Sequence, residues 1–449
     1  MAIGIIFSLA IFIWMAMRGY SIVLASIICT TIVALSNHLP IDKVFLELFP
    51  SGPLGAFSFA GKFFLLFIAG AMFGRLLSVT GGATSIANKL VETLGTNRVL
   101  IATVLFSAIL TYGGVVVFVV IFTMYPLGVQ LLHKANVPKR LFTGALALGV
   151  GTFTMTAMPG SPSIHNVISS VSLKTDLFAG ASYGLLGSVI MLGLGLWYLE
   201  KQRLIAAENG ECYVPSDKDK LILENNSQLN LPSWGKSILP IIVILSIIIF
   251  PRLLSAAGAD NIIIDYANSQ PIIWPCIALF AGCLVIFITF PQLWSSALKE
   301  LGLGAEDAIT PLIATSVVIG FGGVVSHTQT FSDFSQWLTN LDVPPLMAVM
   351  IASSAVAGIV GSSSGGLQIF MSTMAPTFIE QGVEPEILHR IAAMASGGLD
   401  SLPHCGAVVA VLAITGQTHK TAYKDIAMVT VVFPIIATLI CIGIYLSII

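Results

Sequence analysis

Asp400 and His404 stand four residues apart in Ser396–Gly406, which reads SGGLDSLPHCG between two apolar runs, Ile391–Ala395 and Ala407–Ile414. An acid, an imidazole and a run of backbone N–H groups can bind an anion and carry a proton. Together the runs and the insert have roughly the length of a bilayer span, about 20 residues. Two glycines, a proline and a carboxyl group cannot face lipid there, because unpaired backbone and charge in hydrocarbon cost several kcal/mol. The pattern therefore points to a helix broken at mid-membrane, with its ends and polar side chains lining a cavity.

Three further interruptions share this character. Thr111-Tyr112-Gly113-Gly114 divides the apolar stretch Val99–Leu132, TFTMTAMPGSPSIHN (Thr152–Asn166) divides Leu141–Leu173, and Gly361–Gly366 (GSSSGG) divides Pro344–Glu380. The start of the second half of a broken helix presents free N–H groups and the positive end of the helix dipole. Around such ends stand Thr111, Gly113, Gly114, Thr152, Gly160, Ser161, Ser163, Asn166, Gly361, Ser362, Ser363, Ser364, Gly365 and Ser401. Hydroxyl and amide donors between apolar walls suit a small carboxylate with a mostly hydrocarbon body. Asp400, His404 and His165 are the ionisable groups inside the breaks and the candidates for carrying a coupled proton. Backbone carbonyls at the same breaks suit Na⁺, the alternative coupling ion. A cation/proton antiporter is weaker, since its ion site calls for more than one buried acid.

The elements that hold these residues are long apolar helices. Only 9% of residues are charged against 56% hydrophobic, and mean hydropathy is +0.94. That composition marks an integral membrane protein. The long runs lack period-2 alternation, so helices rather than a barrel cross the membrane. A net charge of −2 without a basic run gives no case for a nucleic-acid partner. Six scattered cysteines lack a C-x-x-C pair, and no cofactor or metal is expected. No H-E-x-x-H or P-loop appears. Two G-x-S-x-G strings, Gly180–Gly184 and Gly361–Gly365, lack the strand–turn–helix context of a serine hydrolase. The first doubles as a small-x-x-x-small packing face. An intramembrane serine hydrolase is the remaining alternative from another functional class.

In chain order the expected fold is an all-α polytopic membrane protein of two inverted repeats. Each repeat has five spanning helices, one of them broken, plus one re-entrant hairpin. Residues 1–199 form the first, with a hairpin at 99–132 and a broken helix at 141–173. Residues 237–449 form the second, with a hairpin at 344–380 and a broken helix at 391–417. The hydrophilic stretch 200–236 mixes Asn, Ser, Asp and Lys without periodicity and is expected as a mobile linker that divides the chain. Phe73-Gly74, Ser78, Thr80 and Leu90 recur 248 positions on as Phe321-Gly322, Ser326, Thr328 and Leu338. An odd number of crossings per repeat inverts the second against the first. With both termini outside, only Lys43, Lys62, Lys174, Arg252 and Arg390 of the 20 Lys and Arg fall outside or near the outer ends. The positive-inside rule then puts the linker in the cytoplasm.

FIAGAMFGRLLSVTGGATSIANKL (Phe67–Leu90), the Thr152–Asn166 break and ASGGLDSLPHCGAVVAVLAITGQTHKTAYKDI (Ala395–Ile426) resemble the gluconate permease (GntP) family. Within it they look most like the D-β-hydroxybutyrate permeases. The resemblance runs from about Phe57 to the C-terminus. It implies a protein of the ion transporter superfamily in the bacterial cytoplasmic (inner) membrane. It also implies proton-coupled uptake of small organic acids, two hairpin-bearing repeats, a homodimer and elevator-like movement of the hairpins and broken helices. In one respect this chain departs from the gluconate-type members. Their first hairpin carries a Phe-Phe-Asp-Val-like run and their break a Pro-Pro-His-Pro-like run. Here the hairpin reads Val115–Val120 without an acid, and the break reads Met158-Pro159-Gly160-Ser161-Pro162. A less polar site favours a short hydroxy or keto acid, such as D-3-hydroxybutyrate, over gluconate.

Overall fold

Apolar stretches this long leave the backbone no partner but itself, and every element formed is a helix. The computed structural model describes residues 2–112, 117–161, 163–227, 231–256, 258, 261–270 and 272–448, and no strand occurs among them. The first helices are α1 (Ala2–Arg18), α2 (Ile22–Ser36) and the single turn α3 (Ile41–Lys43). Next come α4 (Ala56–Val79), α5 (Gly82–Leu94), α6 (Val99–Tyr112), α7 (Val117–Ala135), α8 (Lys139–Gly151), α9 (Ile164–Leu173) and α10 (Ala181–Glu208). Helices α11 (Asp217–Ser227), α12 (Trp234–Ala256), α13 (Ile262–Ser269) and α14 (Ile273–Thr289) follow. The rest are α15 (Ala297–Ser326), α16 (Gln329–Thr339), α17 (Pro345–Val360), α18 (Ser363–Thr373), α19 (Ala375–Glu380), α20 (Pro385–Leu399), α21 (Gly406–Thr415), α22 (His419–Ala427) and α23 (Phe433–Ile448).

Among the described residues, five helices are long and apolar enough to cross a membrane: Ala56–Val79, Ala181–Glu208, Trp234–Ser255, Ala297–Ser326 and His419–Ser447. The last runs continuously through α22 and α23. Helices α4 and α15 pack along each other at the centre. A backbone carbonyl of the preceding loop comes close to α15 because its contact face is glycine. A Cβ at Gly320 would stand 2.8 Å from the Phe49 carbonyl oxygen. Helices α6 and α8, and α17 and α20, pack as further pairs.

The interruptions are shorter than their polar sequences suggest. Helix α17 ends where Gly361 takes φ +68°, and α18 starts two residues later with Ser362 as its N-cap, Oγ accepting from the Gly365 N–H at 3.2 Å. The last break spans only Asp400–Cys405, because α20 continues through both glycines to Leu399. In the Thr152–Asn166 break a five-residue π-type turn, Phe153–Ala157, precedes open chain, and Ser163 then caps α9 by accepting from the Asn166 N–H at 3.3 Å.

The stretch 200–236, aperiodic in sequence, is partly helical. Helix α10 runs on to Glu208, and α11 forms inside the stretch. Asp219 is fully buried: Lys139 Nζ lies 2.7 Å from Oδ2, while Tyr125 Oη donates to Oδ1 and the Ser216 N–H to Oδ2. Burial alone would push the Asp219 carboxyl up, but its hydrogen bonds from Lys139 and Tyr125 outweigh this and hold it below the usual carboxylate value. The partners lie some 80 and 94 positions away in sequence, so local pattern carries no sign of them.

Candidate functional site

The interruptions meet around one cavity of about 570 Å³. Thr111 lines it from the end of α6, Ser163 and His165 from the start of α9, Gly361 and Ser362–Ser364 from the α17–α18 turn, and Asp400 with Cys405 and Gly406 from the α20–α21 break. Each turn is tied to the break in its own half. Ser161 Oγ donates to the Tyr112 carbonyl at 3.4 Å, and the Gly406 N–H donates to the Gly361 carbonyl at 3.3 Å.

The polar groups in the wall are available to different degrees. Asp400 Oδ1 accepts a hydrogen bond from Ser401 Oγ at 3.1 Å. Thr111 spends its proton on the Ser107 carbonyl at 2.9 Å. Ser163 and Ser362 use an oxygen lone pair as caps and keep a proton to donate. His165 is buried with neither ring nitrogen hydrogen-bonded. A buried polar group without a partner costs about 1–3 kcal/mol. The N-terminus of α18, eleven residues long, adds N–H groups and a favourable dipole for an anion at the serine tip.

Other expected site residues stand behind the wall. Thr152, Gly160, Ser161, Asn166, Gly365, Ser401 and His404 are absent from the lining. Gly113 and Gly114 lie outside the described residues. Asn166 has no capacity left for a ligand. Its amide donates to the Met158 and Ser161 carbonyls at 3.1 and 2.8 Å, and its oxygen faces Arg390 Nη1 at 2.9 Å and His389 Nε2 at 3.3 Å. His404 points Nε2 at the Gly358 carbonyl, 3.0 Å away, and packs on Phe12.

Arg390, which the charge pattern put outside or near an outer end, was not among the expected site residues. It is fully buried and has no carboxylate among its hydrogen-bond partners. Its fork instead donates to the Ala157, Leu177 and Ala179 carbonyls and to Asn166. Ala157 ends the first half of one broken helix and Arg390 sits in the first half of the other, so the guanidinium braces the two together. The G-x-S-x-G string at Gly180–Gly184 belongs to this brace: a Cβ at Gly180 would stand 2.7 Å from Cβ of Arg390, and one at Gly184 3.0 Å from its Nε. The paired glycines were the one sequence signal for it. Neither G-x-S-x-G serine has a histidine hydrogen-bonded to it among the described residues.

The lining also contains Lys62, Gln270 and Thr315, which sequence reasoning left out. A second, smaller cavity of about 220 Å³ lies further along α4, between Gly74, Arg75 and Ser78 and the Lys218 and Leu221 side chains of α11. From Phe59 to Arg75 the helix advances by roughly 24 Å. The large cavity and the linker are therefore at opposite ends of α4.

The sequence profile of a family described as "GntP family permease" matches residues 1–448. The chain is 33% identical over 455 residues to the uncharacterized transporter YxjC of Bacillus subtilis (strain 168), covering 95% of each. It is 23% identical over 416 residues to a high-affinity gluconate transporter of Escherichia coli (strain K12), covering 89% of this chain and 87% of that one. Among solved structures, the Alcanivorax borkumensis YdaH transporter aligns over 98% of both chains at 14% identity, with a TM-score of 0.43.

Proposed function

This chain belongs to the GntP family of permeases, and on that premise we propose that it is a proton-coupled symporter of a small organic carboxylate. D-3-hydroxybutyrate or a similar hydroxy or keto acid is the substrate, with gluconate disfavoured. The observation that carries the reading is the single cavity at which residues from all four interruptions meet. The serine tip and the α18 N-terminus bind the carboxylate, and Ser163 and Thr111 complete its polar surround. The apolar remainder of the wall, Phe118, Met155 and Ile319 among it, accepts a hydrocarbon body. Relatives that are gluconate transporters support an organic acid. The absence of an acid from Val115–Val120 supports one with fewer hydroxyls than gluconate.

Asp400 carries the proton. It is the acid in the wall, and loading it with H⁺ offsets the charge of the anion, so the loaded site crosses with the same net charge as the empty site with Asp400 ionised. The two halves act as inverted repeats with re-entrant hairpins at α6–α7 and α17–α18. These hairpins and the broken helices move together past α4 and α15, in the manner of an elevator. The protein works as a homodimer in the bacterial cytoplasmic membrane, with both termini outside and the linker in the cytoplasm.

Uptake of radiolabelled D-3-hydroxybutyrate into proteoliposomes tests the function. Accumulation driven by an inward proton gradient, competed poorly by gluconate, is expected. Accumulation driven by Na⁺ alone would replace the proton with sodium, and accumulation of gluconate alone would overturn the substrate.

A further inference from the structure

Lys62 is the only charged residue of α4 before Arg75, set in the apolar sequence AFSFAGKFFLLFIAGAMFGR. An ammonium group in such a segment is costly unless water or a counter-ion meets it, so it marks a candidate functional position. Phe59, Lys62 and Phe63 follow helical i, i+3, i+4 spacing and front the large cavity together. The Phe59 and Phe63 rings lie 4.5 Å apart, and Nζ of Lys62 sits 5.9 Å from the Phe63 centroid. Phe118 of α7 contacts both rings edge-on and backs this face. Lys62 is exposed and takes part in no ion pair among the described residues. The other ionisable groups in the wall, apart from its thiol, are Asp400 and His165.

We propose that Lys62 is the carboxylate-capturing residue of the cavity, drawing the anionic substrate in at the α4 face before it settles against the serine tip. This rests on the carboxylate reading of the function. A cation held beside aromatic faces, with apolar wall on either side, attracts a carboxylate more strongly than it would in open water. Gln270 adds an amide to the lining of the same cavity. The competing role is a side chain that merely reaches for the membrane surface, and such a role would leave substrate affinity alone.

The test uses the full-length protein in proteoliposomes, with radiolabelled D-3-hydroxybutyrate as probe. Lys62→Met should raise KM by about tenfold with kcat within about twofold, and Lys62→Arg should stay near the unaltered protein. Lys62→Cys, in a chain whose six native cysteines are replaced, adds a readout of charge itself. Reaction with an aminoethyl methanethiosulfonate should restore a low KM, the sulfonatoethyl reagent should raise it further, and substrate should slow both reactions. A KM indifferent to Lys62→Met and to the sign of the attached charge would overturn the proposal. So would an introduced thiol, in the Lys62→Cys variant, that neither reagent reaches. If the unaltered protein takes up no carboxylate, the functional reading fails and this one with it; normal uptake with an indifferent Lys62→Met fails this one alone.

Discussion

At Asp400 one carboxyl group meets the cavity, while its neighbour Ser401 turns away to support it. The two histidines named with it as candidate proton carriers stand differently. His404 is tied to a backbone carbonyl behind the wall, and His165 lies in the wall with both nitrogens unpaired. The proposed carrier of the coupled proton is Asp400. Asp400→Asn preserves shape and imitates the protonated acid. It should abolish accumulation driven by a pH gradient while leaving exchange of labelled for unlabelled substrate in place. Uphill uptake that survives in the Asn variant and still responds to external acid would move the proton to His165.

Helix α11 and the ion pair beneath it decide what the linker is. Asp219 and Lys139 are both buried, and breaking such a pair by removing one partner costs about 3–5 kcal/mol because the other charge is left stranded. Asp219→Asn should therefore lower the Tm of the detergent-solubilised protein and speed trypsin cleavage after Lys218 and Lys220, as α11 loosens. Replacing both members, as Lys139→Met with Asp219→Leu, should recover much of the loss. The pH dependence follows from the sign of the shift. The Asp219 carboxyl is held below its ordinary value, so its contribution is complete above about pH 4 and is lost as pH falls through the depressed folded value. Linker cleavage by a protease active in acid should then rise only below that point, with no change between about pH 5 and 8. A cleavage rate rising already at neutral pH would show that the pair is not what holds the linker.

Across the whole molecule, the ion pairs gather on segments that the charge pattern assigns to one side. Arg75 meets Glu300 and Asp307, Lys218 also approaches Asp307, and Arg140 meets Glu211 and Asp425. These contacts join the linker and helix ends, while the face with Lys62 lies at the other end of α4. Cys212 offers a direct test of which end is cytoplasmic, since it is exposed in the linker and the other five cysteines are buried. A membrane-impermeant maleimide should label it in inside-out vesicles and not in intact cells. Labelling from outside intact cells would reverse the orientation.

Composition and run length by themselves determined a helical membrane protein, because backbone in hydrocarbon must satisfy its own hydrogen bonds. The polar insertions at Thr111, Ser163, Gly361–Ser364 and Asp400 were likewise visible, since such residues have no business in lipid. Their convergence on one cavity needed the fold. So did the division between residues that face the cavity and residues that brace it, as Asn166 and Ser161 do. Residue type says what a side chain can bond, but which bonds remain open depends on neighbours hundreds of positions away. Arg390 finds its carbonyls 211 to 233 residues back in the chain, and Asp219 finds Lys139 80 residues back. In the sequence neither residue showed its burial or its partners, because burial and pairing are properties of tertiary contact that no local pattern encodes.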